Sequence, residues 1–62
     1  MDEFQDQIYT ISSITALEEI KKGIKDQVVD PALSWQERMT LYYKVRVINE
    51  RITFLQQHRK LG

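Results

Sequence analysis

The sequence predicts an all-α fold: a helical hairpin of two main antiparallel helices, about residues 14–28 and 34–60, with a short N-terminal helical arm. Three observations predict it. Glycine occurs only at positions 23 and 62 and proline only at 31, too few for the repeated tight turns of an all-β chain. Apolar residues recur at steps of three and four rather than in alternation, the spacing that lines one face of a helix. A chain of 62 residues has room for one core, so a single small helical domain is expected over residues 1–62. Its hydrophobic share of 42% and charged share of 29% lie near globular averages and exclude a disordered polymer.

Phe4, Ile8 and Ile11 step by four and three behind Asp2, whose carboxylate suits a helix N-terminus, and predict the arm over roughly residues 2–10. Running the same helix on through Ile14, Leu17 and Ile20 would carry its apolar stripe round to the opposite side. A break near Ser12-Ser13 avoids this, with Ser13 as the N-cap of the next helix. There Leu17, Ile20, Ile24 and Val28 share one face, and Glu18 stands four residues before Lys22 in the favourable order. Gly23 inside this helix costs on the order of 1 kcal/mol relative to alanine. It marks either a close neighbouring helix or a merely tolerated position.

Residues 29–33 form the connector, because Pro31 lacks an N–H and disfavours helical geometry at Asp30. Ser34-Trp35-Gln36-Glu37 then reads as a capping box. From Trp35 to Lys60 neither glycine nor proline intervenes, and Leu41, Val45, Ile48, Ile52 and Leu55 alternate steps of four and three. Two heptads fit the seam of a coiled coil, but the expected role is the core of the hairpin. The expected core is Leu17, Ile20, Ile24, Leu41, Val45, Ile48 and Ile52. The last helix would be ~39 Å long and its partner only ~22 Å. Residues beyond about Ile52 must therefore pack on the N-terminal segment around Phe4 and Ile8 or project toward another chain.

A second stripe, Val47, Phe54 and Leu61, repeats every seven residues on a separate face. That is more apolar surface than one short partner helix hides, so self-association is expected, with dimerisation into a helical bundle as the simplest closed form. Trp35 lies four residues before Met39 and seven before Tyr42. The three either cover the hairpin turn or supply anchors for a partner.

Catalytic and metal chemistry are absent from the pattern. His58 is the one histidine and there is no cysteine, so no metal site is expected. The acid pairs Asp2/Glu3 and Glu18/Glu19 are sequence neighbours that do not face each other on a helix. With no phosphate loop or nucleophile elbow either, the expectation is a non-enzyme with no cofactor and no small-molecule substrate. No apolar run approaches the roughly 18 residues of a membrane span. The acidic stretch at residues 1–6, where a targeting peptide would be basic, and the missing cysteines predict a cytoplasmic location.

The zero formal charge conceals a division: residues 1–30 hold seven acids against three bases, and residues 31–62 six bases against two acids. The halves either neutralise each other or leave the basic one for an acidic partner. Lys44, Arg51 and His58 recur every seven residues, with Arg46 and Lys60 on a neighbouring face and Tyr42 and Tyr43 available to stack on bases. Lys44, Arg46, Arg51, Arg59 and Lys60 are therefore the candidate nucleic-acid contacts. Over roughly residues 11–55, the order Ile11-Ser12-Ser13, Leu17-Glu18-Glu19-Ile20, Leu33-Ser34, Glu37 and Tyr42 loosely resembles the Hha/YmoA group of small helical bacterial regulators. The resemblance implies regulation by protein–protein contact. The group's partner-contacting aspartate would fall near Arg46, of opposite charge, so no site residue carries over. The expected function is a small protein-interaction or regulatory module of the phage- or plasmid-encoded type, self-associating through Val47, Phe54, Leu61 and Trp35. The alternative is a nucleic-acid-binding accessory protein.

Overall fold

A computed structural model describes the backbone of residues 3–61 and the side chains of residues 3–58. It holds three helices, α1 (Glu3–Tyr9), α2 (Ile14–Val28) and α3 (Trp35–Leu61), and no strand among the described residues. Each boundary has a local cause. The chain leaves α1 in a turn closed by the Thr10 and Ile11 N–H groups donating to the carbonyls of Gln7 and Ile8. Ser13 then caps α2, its hydroxyl accepting from the Ala16 N–H at 3.2 Å. Past Val28, the Asp30 carboxylate accepts from the Ala32 N–H at 2.9 Å, folding the connector into a side-chain-closed turn around Pro31. The Ser34 N–H donates to Glu37 Oε1 at 3.0 Å while the Glu37 N–H donates to Ser34 Oγ at 3.1 Å, the reciprocal pair of a capping box.

Packing order follows from polar contacts that span the helices. Lys21 Nζ reaches Asn49 Oδ1 at 3.0 Å, and Arg38 Nη2 reaches the Asp30 carbonyl at 3.1 Å. Low numbers on α2 therefore meet high numbers on α3, and the two run antiparallel. On the other flank, Lys44 lies 5.2 Å from the Phe4 ring centroid and Arg51 Nε donates to the Ile11 carbonyl at 3.1 Å. Here the numbers rise together, so α1 runs parallel to α3.

Ile8, Leu17, Ile24, Leu41, Val47, Ile48 and Ile52 are buried between the three helices. Ile20 and Val45, expected in the core, pack against it only half-buried. Val47 requires a correction: it is 2% exposed and belongs to the core, not to an association surface. The reason is α1, whose Ile8 widens the arc of α3 that is covered beyond what α2 alone would cover. The unequal helix lengths resolve in the same way, since α1 lies against α3 between about Lys44 and Arg51, and among the described residues Leu55 is the last α3 side chain packed on the core. Gln56, Gln57 and His58 beyond it are exposed. At Gly23 a built Cβ would meet no heavy atom within 4 Å, so the glycine is tolerated and marks no close helix approach.

The Cα trace measures 44 × 24 × 13 Å. Its accessible surface is 4870 Å², against about 4200 Å² for an average folded monomer of this mass. The fold buries one side of α3 and leaves the other open.

Candidate interaction face

Around α3, residues 41, 45, 47, 48 and 52 turn toward the core, and Lys44 and Arg51 meet Phe4 of α1 and Ile11 just after it. At 100° per residue, Trp35, Met39, Tyr42 and Arg46 fall together on the opposite side. Trp35 is 73% exposed, Met39 48% and Tyr42 53%, with Tyr43 also exposed at the edge. The cluster thus lies on the outer face of α3 and does not cover the turn. Further along the same face is a shallow groove of about 470 Å³, lined by Tyr42, Val45, Arg46, Asn49, Glu50 and Thr53.

The remaining sequence-derived candidates separate. Phe54 is 46% exposed and carries His58 on its ring, centroids 4.1 Å apart, while the Arg51 guanidinium lies 5.2 Å from its centroid. It looks toward Tyr9 at the α1 flank, with which it shares a second groove. Leu61, Arg59 and Lys60 have side chains outside the described residues. The seven-residue triplet of Val47, Phe54 and Leu61 therefore contributes one exposed side chain among the described residues.

Of the basic set, Lys44 sits against Phe4 and Arg51 holds the end of α1 through the Ile11 carbonyl. Arg46 lies 3.6 Å from Glu50, both well exposed, a pair worth little in water. The acidic and basic halves do not meet through ion pairs among the described residues: Lys21–Glu18 and Arg46–Glu50 each lie within one helix. The halves are joined instead by cations on neutral acceptors, Lys21 on Asn49, Arg38 on the Asp30 carbonyl and Arg51 on the Ile11 carbonyl.

Among the described residues no group of three or more His, Cys, Asp or Glu side chains could hold a metal ion. None of their helices is long and apolar enough to cross a membrane. Glu37 has a carboxyl held below its ordinary value of 4.5 by the Ser34 N–H and then by the Ser34 hydroxyl, its partners in the cap. No family model, no curated protein and no solved structure matches the chain. The resemblance of residues 11–55 to the Hha/YmoA group has no family match behind it.

Proposed function

We propose that the chain is a non-enzymatic helical interaction module that self-associates through the outer face of α3. One observation carries this reading: Trp35, Met39 and Tyr42 stand exposed in one row on the side of α3 turned away from its own core. Exposed tryptophan, tyrosine and methionine at helical spacing are the side chains that anchor protein interfaces, because each offers a large apolar area, and the first two add a polar edge. A fold with excess surface gains most by covering such a face. Val47 no longer belongs to this surface, and Phe54 lies to one side of it. Light scattering on a size-exclusion column tests the reading. The wild-type chain is expected at twice its 7.4 kDa, and Trp35→Glu at the single-chain mass with unchanged helicity. A single-chain mass for the wild type at every concentration removes self-association.

The nucleic-acid alternative would draw on Lys44, Arg46, Arg51, Arg59 and Lys60. Two of these, Lys44 and Arg51, already serve packing of α1 on α3. It predicts DNA or RNA binding that weakens steeply with salt.

A further inference from the structure

We infer that the occupant of this outer face is a second copy of the chain, its α3 crossing antiparallel so that Trp35 of each copy enters the groove of the other. The inference rests on the interaction-module reading and adds the partner and its register. The outer face of α3 is divided along its length. Its first half presents Trp35, Met39 and Tyr42; from Tyr42 onward its second half presents the shallow groove lined by Tyr42, Val45, Arg46, Asn49, Glu50 and Thr53. The spacing of seven residues from Trp35 to Tyr42 is repeated from Arg46 to Thr53. A two-fold axis opposite position 44 therefore sets Tyr42 against the partner's Arg46, Met39 against the partner's Asn49, and Trp35 against the partner's Thr53. Every knob of one half then meets the groove of the other, the self-complementarity that an isologous contact requires.

Size and charge agree with this occupant. Taking roughly 200 Å² for a large side chain, the exposed fractions of Trp35, Met39, Tyr42 and Tyr43 leave on the order of 400 Å² per copy. Two copies with their polar surrounds bury about 1,000 Å², the lower bound for a specific interface. The chain carries zero formal charge, so two copies approach without net repulsion. Tyr42 over the partner's Arg46 is an aromatic–guanidinium contact made twice. Antiparallel α3 helices also oppose their dipoles. α1 lies on the far side of α3, and α2 borders the groove at one edge, where Lys21 holds Asn49.

The test combines mass with one distance. The chain has no cysteine, so Gln57→Cys at an exposed site past the groove accepts a single spin label. Antiparallel pairing about position 44 places the two labels ~40 Å apart along the helix axes, whereas a parallel pair in register brings them within roughly 20 Å. The expected result is a dimer with the long distance, whose dissociation constant rises about tenfold or more in Trp35→Glu. Trp35 is the first residue of α3, where an acid suits the helix dipole, so that variant keeps its fold. Tyr42→Glu, mid-face, gives an independent second variant. A short distance overturns the antiparallel arrangement and leaves self-association standing. A dimer indifferent to both substitutions overturns the choice of face. A monomer overturns this inference together with the reading beneath it.

Discussion

The two faces of α3 are built from different side chains. The inner one is aliphatic, with Leu41, Val47, Ile48 and Ile52 buried against α1 and α2. The outer one carries Trp35, Met39 and Tyr42, all about half exposed or more. Branched aliphatics hold few rotamers and fill a permanent core closely. Aromatic and thioether side chains tolerate water on one edge and lose less when a partner departs. The division teaches that apolar periodicity alone does not separate a core from an interface; the type of apolar side chain must be read with its position.

The strongest way to break the comparison is from inside. Ile48 is fully buried, and Ile48→Ala is expected to cost about 3 kcal/mol. A chain of this length has only roughly 3–9 kcal/mol of stability in total. Urea titration followed by circular dichroism should show the midpoint collapse, with helicity and association lost together. Trp35→Glu is the counterpart on the outer face. Measured where the wild type is monomeric, it should shift unfolding by less than about 0.5 kcal/mol, as exposed substitutions do, while association falls about tenfold or more. Equal effects from the two substitutions would erase the distinction between the faces.

A third change touches both faces alike, because it acts on the start of the helix that bears them. Ser34→Ala removes the hydroxyl that accepts from the Glu37 N–H and should lower stability by about 1 kcal/mol. The Glu37 side of the box is read by pH. Its carboxyl is held below 4.5 by the Ser34 N–H, so the folded state binds this proton less readily than the unfolded one. The contribution is therefore present above pH 4.5 and lost as pH falls through the lower folded value. Melting temperature should drop over that acidic window in the wild type, and Glu37→Gln should flatten that part of the drop.

Local rules in the sequence were sufficient for the helices and their caps. Ser13, Pro31 and the Ser34/Glu37 box act through neighbours a few residues away, and each is where those rules place it. The arrangement of α1 was not legible, because its direction depends on Lys44 against Phe4 and Arg51 on the Ile11 carbonyl, contacts across forty residues of chain. The assignment of Val47 failed for the same cause: two helices cover α3 where the pattern supplied one. The Trp35, Met39 and Tyr42 row was visible in the spacing of four and three. The direction of that row is fixed by the inner arc, which α1 and α2 define together.

Gly23 tests the comparison most finely, because it lies on α2, on neither face of α3. A glycine inside a helix retains more freedom in the unfolded chain than alanine, which usually costs the fold about 0.5–1 kcal/mol. Such a cost persists for a reason when another backbone needs the missing side chain. Here a Cβ would meet nothing within 4 Å, so no contact opposes the larger residue. Gly23→Ala should raise the unfolding free energy by up to about 1 kcal/mol and leave the mass in solution unchanged. A loss of stability would mean that some neighbour approaches α2 there in solution. A change in mass would mean that α2, and not only the outer face of α3, takes part in association.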